Sequence, residues 1–245
     1  MSLLHYDDDY KIWKDFNLKN FWRNEKEFLI NPASFFSIKK TGTTICGMVF
    51  KHGILLASDT RATNGEIICD TNCEKIHFIA PNICCCGAGT SADTENITKL
   101  LSNQLELQRI SSGRETNIQT AISICQKILF QHKGFLSAAL IFGGFDFFGS
   151  NLFCIHPHGS SEKIPYISMG SGSLAAMAVL DNNYKNNLSL KEAVLIIQES
   201  IKAGIYNDTG SGGSLDLCIL TKKKIRFLRN KIFSGNPEFR QNFTF

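Results

Sequence analysis

The run TTICGMVF at 43–50 is apolar on both of its alternating faces, so as a strand it must be covered from two sides. A turn at Lys51-His52-Gly53 and the run ILLAS follow, which reads as a hairpin. KIHFIA and NICCCG continue the strand pattern, and then the period changes. Ile97, Leu100, Leu101 and Leu105 share one helical face, as do Ile118, Ala121, Ile122, Cys125, Ile128 and Leu129. LSAALIFGG, NLFCIHP and KIPYISM read as strands of a second sheet. SLAAMAVL and KEAVLIIQESIKAG read as two more helices, the latter opened by an S-x-x-E capping box at Ser189 and Glu192 and stopped at Gly204. SLDLCILT and KKIRFLR close the chain as a strand pair, with Lys222–Lys224 as a solvated turn. Doubly apolar strands beside amphipathic helix pairs predict an α+β fold in four layers, helix, sheet, sheet, helix.

Composition narrows the function classes. The chain has 245 residues, enough to bury roughly 70–75% of its unfolded surface without a disulfide scaffold or structural metal. Its 26 basic and 22 acidic residues leave a net charge of +4, most of the excess lying between Lys222 and Arg240, so no nucleic-acid surface is expected. No apolar run approaches the ~18 residues of a membrane span, and the acidic start MSLLHYDDDYKIW is unlike a signal or transit peptide. The nine cysteines, three of them at 84–86 inside an apolar run, suit buried hydrophobes in a reducing compartment better than bridges. His156 and His158 lack a matching Cys pair, so no metal is expected. Residues 1–42 hold both tryptophans without a sustained period and read as a separate segment.

The stretches TGTTICG at 41–47, ASDTRAT at 57–63 and NCEKIHF at 72–78 point further. With GAGTSADT, PYISMGSGSLAAMAV, AGIYNDTGSGGSLDLC and IRFLR, they make the chain resemble, from Thr43 to about Arg229, the beta-type subunits of the 20S proteasome. Within that family of N-terminal nucleophile hydrolases it looks most like the trypsin-like catalytic class. The resemblance implies the αββα sandwich of those hydrolases, a propeptide over 1–42, a hydrolase domain over 43–230 and a C-terminal tail over 231–245. It also implies cleavage at Gly42–Thr43, leaving Thr43 as nucleophile with its own α-amine as base. Gly42 would tolerate the backbone angles that folding the carbonyl onto the Thr43 hydroxyl demands.

The other roles are likewise carried by the resemblance. Lys75 matches the active-site lysine, Asp59 the acid that holds it, and Gly89 the backbone donor of the oxyanion hole. Ser171, Asp208 and Ser211 match a hydrogen-bonded group supporting the nucleophile. Taken alone, TTICG is an ordinary strand, Lys75 a strand end, Asp59 a turn acid, and GSGS at 170–173 a helix-opening turn. Gly87 matches the base of the pocket for the residue preceding the cut (P1), and Glu95 an acid in it, although Glu95 also suits a first helical turn. Asp70, Cys73 and His77 would line the substrate channel, and Thr63 and Ser91 would bind substrate backbone.

The expected activity is a threonine endopeptidase cleaving unfolded polypeptides after basic residues, without cofactor or metal. Its partners would be other alpha and beta subunits in a stacked heptameric-ring particle of cytoplasm and nucleus, with no nucleic acid or membrane. An unprocessed structural subunit and a free-standing amidohydrolase are the competing readings. The class usually carries a long C-terminal arm, whereas only NKIFSGNPEFRQNFTF follows Arg229 here.

Overall fold

Cys46, Met48 and Phe50 face one way from the first strand and Ile45 and Val49 the other, and both sets are covered. This is what a doubly apolar strand requires, and the remaining layers follow from it. The computed structural model describes residues 41–147 and 149–231. The segment over 1–40 and the tail over 232–245 lie outside the described residues.

The strands are β1 (Thr44–Phe50), β2 (Gly53–Asp59), β3 (Ala62–Asn64), β4 (Ile67–Asp70), β5 (Ile76–Ala80), β6 (Ile83–Gly89), β7 (Ala138–Asp146), β8 (Gly149–Ile155), β9 (Ser161–Lys163), β10 (Tyr166–Gly170), β11 (Leu215–Thr221) and β12 (Ile225–Lys231). The helices are α1 (Ser91–Ser112), α2 (Ile118–Gln131), α3 (Ser173–Asn183) and α4 (Leu190–Asn207). One antiparallel sheet runs β10-β1-β2-β11-β12 and the other β5-β6-β7-β8-β9, with β3 and β4 as a separate ribbon.

Three apolar clusters stack between four layers. Ile97, Leu101, Leu105, Ile122 and Leu129 of α1 and α2 pack on Leu140 and Phe142 of one sheet. Ile45, Ile54, Leu56, Cys84, Cys86 and Ile141 fill the space between the sheets. Leu55, Ala57 and Leu217 meet Ala176, Leu180, Ile197 and Ile201 of α3 and α4. The cysteine triplet in β6 obeys the strand period, Cys85 pointing to the helices and Cys84 and Cys86 to the facing sheet.

Several elements match the sequence reading. The Lys51–His52 turn, the exposed Lys222–Lys224 turn and the Ser189–Glu192 capping box are all present. Two expectations need correction. KIPYISM, expected in the second sheet, forms β10 and pairs with β1, while KIHFIA and NICCCG join β7. The chain crosses between sheets at 71–75 and again after β9, so neighbours in sequence do not stay neighbours in a sheet. Leu100 is also exposed, because the buried stripe of α1 is limited to Thr94, Ile97, Thr98, Leu101 and Leu105.

Gly204 does not stop its helix either, since α4 runs on to Asn207 with Asp208 as cap. Its role is to admit Thr44. A Cβ on Gly204 would lie 2.5 Å from Thr44 Cγ2, and one on Gly172 would lie 2.0 Å from Thr44 Oγ1. Thr44 is wholly buried and fills a slot between these two backbones. Alanine at 204 gains about 1 kcal/mol of helix propensity. Overpacking the slot costs about 1–3 kcal/mol. Gly204→Ala is therefore expected to lower stability by up to about 2 kcal/mol in thermal unfolding, and a raised midpoint would contradict the slot.

Candidate active site

One end of the β10-β1-β2-β11 sheet collects the residues that matter. Gly170 at the end of β10 faces Thr44 at the start of β1, and Leu215 at the start of β11 faces Asp59 at the end of β2. Thr43 precedes β1, Ser171 follows β10, Ser211 precedes β11 and Asp208 caps α4. Lys75 enters from the other layer, immediately before β5. Antiparallel register thus brings distant parts of the sequence to one place.

Lys75 Nζ stands between Thr43 Oγ1 at 3.2 Å and Asp59 Oδ1 at 2.7 Å. All three residues are buried. A buried carboxylate is costly unless its lone pairs are filled, and Asp59 is well supplied. Besides Lys75 it accepts the backbone N–H of Thr44 at 3.0 Å, of Gly212 at 3.0 Å and of Arg61 at 3.3 Å.

The backbone nitrogen of Thr43 is held on its other side. It donates to Ser171 Oγ at 2.9 Å, which donates to Asp208 Oδ2 at 2.5 Å. Ser211 Oγ donates to the same carboxylate oxygen at 2.7 Å and lies 2.8 Å from Thr44 Oγ1. Burial pushes the Asp208 carboxyl up, but these hydroxyls and the N–H groups of Gly210 and Ser211 outweigh it and hold the group below its ordinary range. Asp208 therefore stays ionised at neutral pH and orients both serines as donors.

The segment ahead of Thr43 folds onto the site. Thr43 Oγ1 donates to the Gly42 carbonyl oxygen at 2.6 Å, so that carbonyl is turned back on the hydroxyl. Gly42 N–H donates to Thr63 Oγ1 at 2.9 Å. The need for glycine at 42 is steric rather than torsional, correcting the expectation from backbone angles. Its φ is not positive, while a Cβ there would lie 2.1 Å from Gly210 Cα.

The other expected positions divide. Gly87 is buried, its N–H donates to Lys75 O at 3.0 Å, and a Cβ there would press on Thr94 at 3.0 Å. Gly89 closes β6 at φ +122°, where a side chain would strike Ser137 O at 2.1 Å. Its carbonyl accepts Thr41 Oγ1 at 2.8 Å. Glu95 is exposed on α1 and paired with Lys99 at 2.5 Å, whose ammonium holds its carboxyl below the usual range. His77 is half-buried on β5, and burial keeps its imidazole below the ordinary value against the pull of Glu74 and Glu95. Burial likewise raises the Cys73 thiol, with Lys75 opposing. Asp70 caps its own turn by accepting Asn72 N–H at 2.8 Å. Ser91 opens α1 at the surface, its carbonyl taken by Thr94 Oγ1 at 2.9 Å.

Sequence reasoning passed over Thr41, Thr44 and Arg61. Thr41 and Thr44 flank the Gly42–Thr43 pair in TGTT, but which carbonyl or slot each would meet depends on residues far along the chain. Arg61 reaches Asp59 through its backbone, which any residue supplies, and its Nη1 donates to the Thr209 carbonyl at 3.1 Å.

Breaking a buried ion pair from one side leaves an unpaired charge at a cost of about 3–5 kcal/mol. Asp59→Asn is expected to lose stability on that scale in denaturant unfolding. A loss under about 1 kcal/mol would mean that Lys75 reaches another partner.

The profile of the family described as "Proteasome subunit" matches residues 39–220. The chain is 50% identical over 203 residues to proteasome subunit beta type-7 of Dictyostelium discoideum, covering 83% of this chain and 76% of that protein. It is 52% identical over 194 residues to proteasome subunit beta type-7-A of Arabidopsis thaliana, covering 79% and 71%. Against proteasome subunit beta type-10 of Bos taurus the identity is 46% over 191 residues, covering 78% and 70%. An αββα sandwich and matches over most of both chains make this protein a member of the proteasome beta-type subunit family, whose members assemble with other subunits in the core particle.

Proposed function

We propose that this subunit is catalytic: a threonine endopeptidase, released from its first 42 residues by cleavage at Gly42–Thr43, that cuts polypeptides after basic residues. The observation that carries the reading is the position of Lys75 Nζ, 3.2 Å from Thr43 Oγ1 and 2.7 Å from Asp59. Holding Asp59 would account for a buried lysine, but not for an ammonium at hydrogen-bond distance from a threonine hydroxyl.

Cleavage begins with Thr43 Oγ1 attacking the Gly42 carbonyl carbon. The C–N bond breaks as the C–O bond forms, the nitrogen takes a proton, and an ester joins Gly42 to the hydroxyl. The Oγ1 proton passes to the nitrogen in that shift, which frees the Thr43 α-amine; water then hydrolyses the ester, releasing the Gly42 carboxylate and restoring the Thr43 hydroxyl. In turnover the amine accepts the Oγ1 proton as Oγ1 attacks a substrate carbonyl, and donates a proton to the leaving amine. Water then cleaves the acyl ester with the same amine as base. Before the cut that nitrogen is an amide and cannot serve, so the leading segment keeps the site off.

Each neighbour has a task. The Lys75 ammonium favours the deprotonated hydroxyl and the neutral amine by electrostatic attraction and repulsion, respectively. Asp59 orients Lys75, and the Ser171, Asp208 and Ser211 group orients the nitrogen. The Gly89 N–H would meet the tetrahedral oxyanion. Thr63, which accepts Gly42 N–H, would accept a substrate N–H in the same place, with Ser91 binding backbone farther along the chain. Asp70, Cys73 and His77 border the channel.

Glu95 supplies the basic preference, reached past Gly87. An exposed ion pair such as Glu95–Lys99 contributes little, so a substrate cation can displace Lys99. The expected setting is a particle of stacked heptameric rings, in cytoplasm and nucleus.

Intact mass of the chain from its native particle is expected to give an N-terminus at Thr43. Thr43→Ala should reduce cleavage of an Arg-P1 peptide at this subunit by at least about 10³-fold. A chain that keeps its first 42 residues in the mature particle would make it a structural subunit instead. Glu95→Gln should lower kcat/KM for Arg-P1 peptides about tenfold and leave uncharged P1 peptides unchanged. Equal loss for both would remove Glu95 from the pocket.

A further inference from the structure

Lys75 arrives on the segment 71–75, which crosses between the two sheets. Its inner side is held by Cys73 N–H donating to Thr60 O at 2.9 Å and Thr60 Oγ1 donating to Thr71 O at 2.8 Å. Its outer side is held by a side chain from a distant strand. Arg229, on the edge strand β12, donates from Nη2 to Asn72 O at 3.0 Å and to Asn72 Oδ1 at 3.2 Å. Its Nη1 lies 3.1 Å from Glu74 Oε2, and its Nε 3.1 Å from Asp216 Oδ2.

The anchor beneath this fork is unusual for a surface arginine. The Asp216 side chain is 4% exposed, and its other oxygen accepts Asn230 N–H at 2.9 Å. Burial pushes the Asp216 carboxyl up, and the nearby Glu74 carboxylate adds to that push, while Arg229 opposes both. Two carboxylates therefore share one guanidinium. Remove it and they repel, which drives Glu74, the residue next to Lys75, outward.

We propose that Arg229 is a positioning residue for the reaction: its fork ties the Asn72–Glu74 segment to Asp216 and so fixes the distance from Lys75 Nζ to Thr43 Oγ1. The proposal rests on the catalytic reading above. A shift of about 1 Å at a catalytic group can cost about 10²-fold in rate, whereas Thr63, Gly87 and Glu95 lie outside the segment that Arg229 holds and only Cys73 of the channel residues lies within it. The loss therefore falls on kcat rather than on KM. With the ammonium farther away, the Thr43 amine is less repelled and its pKa rises. Because the amine must be neutral to act, the acidic limb of kcat/KM moves to higher pH.

The test compares wild-type, Arg229→Gln and Arg229→Lys subunits in assembled particles, with an Arg-P1 peptide. Arg229→Gln is expected to lose about 10–100-fold in kcat, with KM within about threefold and the acidic limb displaced upward. Arg229→Lys keeps a cation beside Asp216 but not the planar fork, so it should assemble and still show the displaced limb and a partial loss of kcat. Either variant processed to Thr43 with the wild-type kcat and pH profile overturns the proposal. So does failure of both variants to enter the particle, which would assign Arg229 to folding alone. A wild-type subunit that is unprocessed and inactive fails the catalytic reading itself, an outcome distinct from normal wild-type activity with indifferent variants.

Discussion

The Lys75–Asp59 ion pair, 2.7 Å apart and buried, is the contact on which the rest depends. Two charges taken out of water are tolerated only if the remaining hydrogen-bonding capacity around them is filled. Here the filling is done by backbone N–H groups of Thr44, Arg61 and Gly212, from three separate parts of the chain. Strand β1, the loop after β2 and the loop before β11 must therefore converge to within bonding distance of one carboxylate. The sheet register that achieves this also sets Thr43 beside the ammonium. Fold and site are two descriptions of one set of constraints.

A second carboxylate governs the opposite side of Thr43. Asp208 sits at the end of α4 and gathers two serine hydroxyls, one from the turn after β10 and one from the loop before β11. Ser211 then touches Thr44, which is itself buried in its slot. The threonine pair is thus gripped from the sheet through Asp59 and from a helix end through Asp208. Neither grip uses the hydroxyl oxygen of Thr43 as its anchor, which leaves that oxygen for Lys75 and the carbonyl of Gly42.

Much of the architecture was legible in the sequence because it follows from periodicity. Strands apolar on both faces and two pairs of helices lead to four layers without knowledge of which strands pair. The β1–β2 hairpin and the closing β11–β12 pair were legible too, but the longer-range pairing was not, because β10 reaches β1 and β6 reaches β7 through contacts that no local pattern encodes. Glycines were the other weak point. From sequence, Gly204 looks like a helix stop and Gly42 like a torsional necessity, but both are there so that another backbone or side chain can come close. That reason lies in Thr44 and Gly210, far away in sequence. The cluster of Thr43, Asp59, Lys75, Ser171, Asp208 and Ser211 could be named from resemblance, whereas Arg229 looked like one more basic residue near the end of the chain.

The slot that holds Thr44 bears on what happens when a peptide bond is cut just ahead of a central strand. Chain ends ordinarily fray, since nothing restrains them on one side. An end created at Thr43 is stapled one residue in: β1 is bonded to β10 and β2 on its two edges, and Thr44 is wedged between Gly172 and Gly204. Such an end has little motion left to lose when it meets a substrate. In the proposed reaction, the ordering that would otherwise be demanded at each turnover would be done once, during folding.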